Sequence, residues 1–414
     1  MDVSLQPITE AGKRFVELAE EHAADFATRA DQHDREGSFP FENFEAMKQS
    51  GFLTATVPEE FGGLGLNSIH DLGVGLNRLG RGDGSTAIAA TMHLTFALIG
   101  FRILRSAREA GDDQLAALAS GVLKPLGSGI IAMGNATEPG TDIRHPLTEA
   151  TRVDGGWSIS GRKIFGTLSP LANLFFVTAR TRQPDGTYLS GFALVPRGAP
   201  GQEIKDNWDA LGMRASGSND IVYENCIVPE NLFVVGGAWG EESEQGLIMS
   251  TAGTYPLAAT FVGIAEAARD IVVEMARTRR KAPSGRLIAE RPTIQHFVAE
   301  MDVDLAICRA MLDRSGKLLD AYLCDRPVAE VTMDQLHQLN KDYQCTKLVT
   351  NGKAIEVVDR ALTVSGGAGY MSANPLSRLY RDVRAGPFMQ AFSPNEAYEY
   401  IGKVALGLDP TLEN

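Results

Sequence analysis

Two stretches of small and hydroxyl-bearing residues are the places in this chain best suited to bind a ligand. Residues 130–140 and 161–170 each run from a strand-like segment into a polar turn, and they carry Thr137, Phe165 and Thr167. Backbone N–H groups and the two hydroxyls could bond the heteroatoms of a planar ligand while the Phe165 ring lies against its face. Taken alone, each stretch is more typical of a hairpin with ordinary turn residues.

The cysteines do not form a reactive or metal-binding group. They lie far apart in apolar surroundings, without a Cys-x-x-Cys spacing, at Cys226, Cys308, Cys324 and Cys345. Isolated cysteines of this kind are typical of reduced, buried side chains. The sequence therefore predicts no metal site and no disulfide.

Length and composition bound the class of protein. A chain of 414 residues exceeds one ordinary core, so two or three domains are expected. Hydrophobic residues at 44% and charged residues at 22% are ordinary globular values. The apolar run at 86–100 is interrupted by His93 and is too short to span a bilayer, so no membrane span is predicted. Residues 1–7 lack the basic flank and apolar core of a secretion signal, which favours a cytoplasmic location.

The charge balance argues against a nucleic-acid partner. The net charge of −13 opposes non-specific attraction to phosphate backbones. Basic clusters at 277–281 and 378–384 could each hold a phosphate group or form a solvated helix face. The sequence alone leaves both alternatives open.

Residues 1–126 are predicted to form an N-terminal helical domain. Apolar residues recur at helix spacing from about 10 to 123. The glycine-rich segment 57–67 predicts a turn or a close-packed loop inside this domain. Ser85 is the expected N-cap of an apolar helix over 86–103.

Residues 127–238 are predicted to form a central antiparallel β-domain. Short apolar or alternating runs are separated by turn signals at 154–156, 184–186 and 198–201. A parallel dinucleotide-binding fold would need helices between the strands and a Gly-x-Gly-x-x-Gly turn, and this segment has neither. A small barrel or sandwich is expected.

Residues 239–414 are predicted to form a C-terminal four-helix bundle. Apolar stripes at spacings of three and four run through 257–275 and 294–312. A third helix is expected over 347–363, ended by the glycine-rich segment 365–370, and a fourth over 396–406.

Seven short motifs follow one another along this predicted architecture. They are Val-Pro-Glu-Glu-Phe-Gly-Gly-Leu-Gly at 57–65, Thr-Glu-Pro-Gly at 137–140, the segment 161–167, Leu-Gly-Met-Arg-Ala-Ser-Gly-Ser at 211–218, Ile-Gln-His at 294–296, Gly-Gly-Ala-Gly-Tyr at 366–370 and Tyr-Arg-Asp at 380–382. In this order they resemble the acyl-CoA dehydrogenase superfamily of flavoproteins, over nearly the whole chain. The resemblance implies an α+β multidomain fold of that type.

The resemblance also implies a non-covalent FAD. Thr137 and the main chain at Met133 and Asn135 would lie on the pyrimidine side of the flavin. The Thr167 hydroxyl would bond flavin N5, and Phe165 stands where an indole usually covers the ring. A donor at N5 stabilises charge that develops during electron transfer.

Further cofactor contacts are implied across a subunit boundary. Gly366 and Gly367 would let the backbone approach the FAD pyrophosphate of a neighbouring subunit, and Arg280 or Lys281 would meet the same group. Asn395 is the last of the implied cofactor-binding residues. A homodimer or a homotetramer is expected.

The chain departs from the family where the catalytic base should be. The usual base is a Glu shortly before an Asn-Glu pair, where it removes the α-proton of a thioester. Counted back from the pair at 395–396 the position is Phe392, and counted forward from Arg381 it is Gln390. Neither side chain can accept a proton. The segment 253–256 also lacks the Arg that commonly meets CoA phosphate, and 281–285 lacks the aromatic of the family's Arg-x-x-Phe-Gly loop.

Three hypotheses for the function follow. The first is an FAD-dependent oxidoreductase that acts on an acyl thioester or related compound with atypical chemistry, its partners being a small-molecule substrate such as a CoA thioester and an electron-transfer protein. The second is a flavin monooxygenase of the same fold, supplied by O2 and a flavin reductase, in which His93 would be a catalytic residue near the flavin. The alternative for His93 is a buried core histidine. The third is a non-enzymatic flavin- or acyl-binding subunit, disfavoured because Thr137 and Thr167 are retained.

Overall fold

Helices, then strands, then helices again follow one another in the computed structural model, which describes residues 3–389 and 391–411. The changes of element type fall at 127–132 and at 238–244. The domain limits 1–126, 127–238 and 239–414 stay a prediction.

The N-terminal part is helical. Its helices are α1 (Glu10–Phe26), α2 (Ala30–Glu36), α3 (Phe41–Ser50), α4 (Ile69–Gly82), α5 (Gly84–Ala110) and α6 (Asp113–Gly127). The prediction of Ser85 as the N-cap of α5 is wrong, because the Asp83 carboxylate takes that place and accepts the backbone N–H of Ser85. The glycine-rich loop is close-packed as expected: a Cβ on Gly63 would lie 2.0 Å from the Val57 carbonyl oxygen.

A mixed sheet of eight strands forms the centre. The strands are β1 (Ala132–Asn135), β2 (Glu149–Val153), β3 (Gly156–Gly166), β4 (Leu174–Arg182), β5 (Tyr188–Pro196), β6 (Gln202–Ile204), β7 (Asn219–Pro229) and β8 (Phe233–Ala238). Their order is β6-β7-β3-β2-β4-β5-β8, with β1 also on β4. The hairpins are antiparallel as predicted, but β1 and β2 each pair with β4 in parallel. Turn signals predict only neighbours in sequence, so they could not reveal these long-range pairs.

Long helices return after the sheet. They are α7 (Glu244–Thr251), α8 (Tyr255–Thr278), α9 (Pro292–Leu323), α10 (Met333–Ser365), α11 (Pro375–Val383) and α12 (Pro394–Leu406), and α8 and α9 are joined by the short hairpin of β9 (Arg280–Lys281) and β10 (Arg286–Leu287). The prediction that the third long helix begins at 347 is wrong. It begins at Met333, because Thr332 and Gln335 form a capping box there.

The N-terminal helices and the bundle share one core. Helix α4 crosses α8 so closely that a Cβ on Gly263 would lie 2.1 Å from the Asn77 carbonyl oxygen. Two segments, Gly84–Ala110 and Glu244–Thr278, are long and apolar enough to cross a membrane, but 67% and 89% of their most apolar windows are buried inside the protein. Core helices pass the same test, and the cytoplasmic location stays a prediction.

Candidate functional site

The two polar turns singled out in the sequence lie side by side. The backbone N–H of Ile164 donates to the Thr137 carbonyl oxygen at 2.9 Å, which joins the turn after β1 to the end of β3. Phe165 is 58% exposed, and a Cβ on Gly134 would meet nothing within 4 Å. A bare strand face therefore lies beside an uncovered aromatic ring, as the resemblance requires for a flat ligand.

The backbone around Thr167 is strained. Phe165, Leu168 and Met213 all have positive φ angles, of 52°, 77° and 53°, which cost a non-glycine residue of order 1–3 kcal/mol each. The register between β3 and β7 also shifts between Lys163 and Gly166. Strain and bulges of this kind collect where a chain must present a side chain in a particular direction.

A chain of three hydroxyls ends at Thr167. Its Oγ1 lies 2.8 Å from Ser218 Oγ, which lies 2.6 Å from Ser216 Oγ. Ser216 and Ser218 are buried, and Thr167 is half-buried. Both serines belong to the motif at 211–218, which by itself predicts no role for either. Two serines on either side of a glycine were the available signal, because Gly217 has a positive φ of 58° and turns the backbone between them.

The same loop is tied to α11. The backbone N–H of Met213 donates to Asp382 Oδ1 at 2.6 Å, and Arg378 Nη1 lies 3.6 Å from the other carboxylate oxygen. Trp208 donates from Nε1 to the Met213 carbonyl oxygen at 2.9 Å and meets the Phe165 ring edge-on. Burial raises the pKa of Asp382 to about 6 against the attraction of Arg378.

A buried ion pair supports the Thr-Glu-Pro-Gly turn. Lys163 Nζ lies 2.5 Å from Glu138 Oε1, and Glu138 also accepts the backbone N–H groups of Leu147 and Thr148. Burial lowers the pKa of Lys163 to about 8. Burial acts to raise the pKa of Glu138, but Lys163 and the N–H groups outweigh it and hold that pKa below its ordinary value.

His93 holds β1 against α5. Its Nδ1 accepts the backbone N–H of Ala132 at 3.1 Å, so the ring is neutral and carries its proton on Nε2. Burial lowers the pKa of His93 to about 4. This hydrogen bond holds two elements together and does not involve a ligand. The catalytic role of His93 stays a prediction.

Met133 and Asn135, the two residues of β1 that are predicted to contact the flavin, have buried side chains. Met133 is fully buried, and the Asn135 amide oxygen accepts the hydroxyl of Tyr223 at 3.0 Å. Their main chain, and not their side chains, is what they can offer a ligand on the open face of the strand.

The second predicted group lies at one end of the bundle. Arg360 pairs with Glu300 and Asp304, so the end of α10 lies beside the start of α9, and the exposed Gly366 and Gly367 share that end with the exposed Arg280 and Lys281. Gly84 packs on both Met213 and Ile264, which places the Thr167 loops beside the middle of α8. Helix α8 continues from Ile264 to Thr278, nearly four turns or about 21 Å, before the chain reaches Arg280. A single chain therefore does not bring the two groups together.

Phe392, one of the two positions predicted to replace the usual base, carries an aromatic ring that is half-buried. This ring packs on Tyr400 at a centroid distance of 4.9 Å, and Asn395 is exposed in the first turn of α12. Lys347 Nζ donates to the carbonyl oxygens of Met389 and Phe392, the second at 2.7 Å. Gln390 lies between them but outside the described residues.

The described residues contain no group of three His, Cys, Asp or Glu side chains that could hold a metal ion. Their four cysteines are unpaired thiols, and burial is the chief cause that raises the pKa of each one: Cys226, Cys308, Cys324 and Cys345. Raised pKa values disfavour the thiolate that metal binding and nucleophilic attack both need.

Three protein-family models together match most of the chain. They are the N-terminal, middle and C-terminal domains of acyl-CoA dehydrogenase, at residues 9–121, 131–226 and 255–394. L-evernosamine nitrososynthase of Micromonospora sp. is 35% identical over 97% of this chain and 92% of its own length. Amino sugar nitrososynthase DnmZ of Streptomyces peucetius is 33% identical over 97% of this chain and 95% of its own.

A solved structure of similar sequence extends the match to three dimensions. KijD3 in complex with FMN and dTDP-3-amino-2,3,6-trideoxy-4-keto-3-methyl-D-glucose has a TM-score of 0.89 at 32% identity, covering 99% of this chain and 97% of that one. The flavin of that complex is FMN, so a flavin is supported but FAD specifically is not. The chain belongs to the acyl-CoA dehydrogenase family and is a flavoprotein oxidoreductase of that family.

Proposed function

We propose that the protein is a flavin-dependent monooxygenase that oxidises the amino group of a nucleotide-linked amino sugar. The observation that carries the proposal is that neither position predicted for the base holds a proton acceptor: one is Phe392, which packs on Tyr400, and the other is Gln390. An oxidation at nitrogen needs no α-proton base. The full-length similarity to amino sugar nitrososynthases supports the same chemistry.

The bound flavin, once reduced, would supply two electrons to O2, so that one oxygen atom passes to the substrate nitrogen and the other leaves as water. The residues of this chain would bind the flavin and orient it. The Thr137 hydroxyl and the main chain of Met133 and Asn135 would meet the pyrimidine edge, Phe165 would cover the ring, and Thr167 would meet N5. The open face at Gly134 and the strained turn at Phe165 support this arrangement.

FAD stays the prediction for the form of the flavin, with FMN as its competitor. Gly366, Gly367, Arg280 and Lys281 would hold the pyrophosphate of FAD bound to a neighbouring subunit. FMN has a single phosphate and no adenosine, so it would leave most of this group unused. Titration of the purified protein with each flavin decides between them. A reductase that delivers reduced flavin, and O2, are the proposed redox partners.

The competing function is α,β-dehydrogenation of an acyl thioester. The fold itself favours that candidate, since the three family descriptions that match the chain are those of acyl-CoA dehydrogenases. It would need a proton acceptor, and a missing general base costs about 10²–10⁴ in rate.

Anaerobic reduction of the bound flavin followed by O2 tests the proposal. With a dTDP-linked 3-amino sugar, we expect faster flavin reoxidation and a product heavier by oxygen in the mass spectrum. With butyryl- to octanoyl-CoA under anaerobic conditions, we expect the oxidised flavin to stay yellow. Rapid bleaching by these thioesters, at the rate of a working dehydrogenase, would return the chain to thioester chemistry.

Phe392→Glu is the matched variant for the thioester experiment. It puts a carboxylate at the position counted back from the Asn-Glu pair, so it should gain thioester-dependent bleaching if that position faces the substrate. Phe392→Leu controls for loss of the ring without adding a base.

A further inference from the structure

We infer that Ser218 and Ser216 fix the direction in which the Thr167 hydroxyl donates its proton, and thereby set the reducing power of the bound flavin. Ser218 is thus a positioning residue that acts through Thr167. The inference rests on the flavin contact of Thr167 in the proposed function.

The three hydroxyls form a chain with one closed end. Ser216 is fully buried, and among the described residues its hydroxyl has Ser218 as its hydrogen-bond partner, at 2.6 Å. Ser218 is 4% exposed and bonds onward to Thr167 at 2.8 Å. Thr167, at the other end, is half-buried and lies in the strained turn that carries the exposed Phe165. The chain therefore opens only toward the proposed flavin face.

A closed inner end determines the direction of donation. Each hydroxyl has a single proton to donate. If Ser216 donates to Ser218 and Ser218 donates to Thr167, the Thr167 proton is free for a ligand and every buried proton is bonded. If the chain ran the other way, the Ser216 proton would be buried without an acceptor, which is unfavourable. Hydrogen bonds aligned in one direction also strengthen one another.

The direction has a consequence for a flavin beside Thr167. N5 of an oxidised flavin carries a lone pair that accepts a hydrogen bond, whereas N5 of a reduced flavin carries a proton and needs an acceptor. With Ser218 donating to Thr167, the Thr167 proton has N5 of the oxidised flavin as its acceptor and loses that acceptor when N5 is protonated, which favours the oxidised form. The reduced flavin in this site is then a stronger reductant, which suits a site that passes electrons to O2.

The test compares the affinities of oxidised and reduced flavin in the full-length protein. FMN and FAD are titrated by fluorescence, each oxidised and then reduced with dithionite under anaerobic conditions. In Ser218→Ala the Thr167 hydroxyl loses the donor that orients and polarises it, so its hydrogen bond to N5 of the oxidised flavin weakens. We expect the affinity ratio to shift about tenfold toward reduced flavin, equivalent to about 30 mV in the midpoint potential of a two-electron couple. Ser218→Thr restores the hydroxyl and should restore the ratio.

Ser169→Ala is the matched control. Ser169 is buried in the same pair of loops, but its hydroxyl donates to the Gly217 carbonyl oxygen and takes no part in the chain of three hydroxyls. We expect this variant to keep the wild-type ratio, which separates the hydroxyl chain from general loosening of the loops.

Each outcome decides between the inference and the function on which it rests. An unchanged ratio in Ser218→Ala, with a shifted ratio in Thr167→Val, would overturn the inference and leave the flavin contact standing. An unchanged ratio in both variants, or no flavin binding at all, would overturn both. A shifted ratio in a protein that oxidises no amine would support the inference and count against the proposed function alone.

Discussion

His93 lies at the junction between a helix and the strand that carries the proposed flavin contacts. Because its pKa is about 4 and its Nδ1 accepts the Ala132 N–H, it should be neutral and structural at the pH where the enzyme works. We expect His93→Asn, which keeps an acceptor near Nδ1, to retain flavin binding and turnover within about tenfold. His93→Leu leaves the buried N–H unpaired and should cost about 1–3 kcal/mol in the free energy of unfolding.

The two variants also test the competing role. If His93 were a general acid or base, His93→Asn would lower turnover by about 10²–10⁴ while the flavin still bound. Stopped-flow reoxidation kinetics and urea unfolding of both variants distinguish the two cases.

The ion pair beneath the Thr-Glu-Pro-Gly turn should be essential for stability. Lys163→Met leaves the Glu138 carboxylate buried without its cation, which we expect to cost about 3–5 kcal/mol in the free energy of unfolding. Arg162→Met is the matched control. The neighbouring Arg162 pairs with Asp220 at the surface, and such pairs contribute about 0–1 kcal/mol. Equal unfolding midpoints for the two variants in urea would show that the buried pair is not needed.

The sequence revealed some of these residues and concealed others for physical reasons. Thr137, Phe165 and Thr167 carry polar or aromatic groups at strand ends, so residue type and position alone selected them. Ser218 reaches Thr167 only because β7 pairs with β3 across 51 residues of chain. Lys163 faces the protein interior, and an alternating strand pattern assigns a lysine to the solvent side.

Helix α11 fixes the loop before the serines through Asp382, and this contact should depend on pH. The pKa of Asp382 is raised from 3.8 to about 6 in the folded protein. A raised pKa contributes stability that is present below the unfolded value and is lost as pH rises through the folded value. Asp382→Asn keeps an acceptor for the Met213 N–H but cannot titrate. The stability advantage of the wild type over this variant should therefore shrink between about pH 4 and pH 6, measured by urea unfolding. An advantage that grows over this range would contradict the assignment.

Helix α10 holds the segment that replaces the usual base. Lys347 donates to the carbonyl oxygens of Met389 and Phe392, so Lys347→Met should let this segment open without unfolding the bundle. Phe388 is exposed beside it, and we expect chymotrypsin to cleave there about tenfold faster than in the wild type. Lys353→Met is the control, because Lys353 is half-buried on the same helix and pairs with Asp304 and Glu356, away from this segment. Equal cleavage rates in the two variants would show that Lys347 does not hold the segment.

Elements were predictable where the signals were local. Helix stripes and hairpin turns correctly indicated helices, strands and helices in that order, because both patterns repeat within a few residues. The start of α10 was missed because its first turns are largely polar and only the capping box at Thr332 marks them. The parallel contact of β1 with β4 joins segments about 40 residues apart, and a local pattern carries no information about such a pair.

At the scale of the whole molecule, the two groups of predicted cofactor residues lie too far apart in one chain to share one flavin. Thr137 and Thr167 lie beside the middle of α8, whereas Gly366, Arg280 and Lys281 lie at the far end of the bundle. We therefore expect a homodimer or homotetramer in which each flavin site takes the first group from one subunit and the second from its neighbour. Sedimentation of the purified protein measures the assembly directly.

Mixed assemblies test the shared site. Gly134→Phe fills the open face of β1, and the double variant Arg280→Ala with Lys281→Ala removes the cations, so each should bind FAD poorly alone. In a dimer formed from equal amounts of both, one of the two sites in each mixed pair is intact. About a quarter of all sites should then recover FAD binding if the contact crosses a two-fold interface. If each site is built within one chain, mixing the variants should not recover FAD binding. If the cations never contact the cofactor, the double variant should bind FAD without mixing.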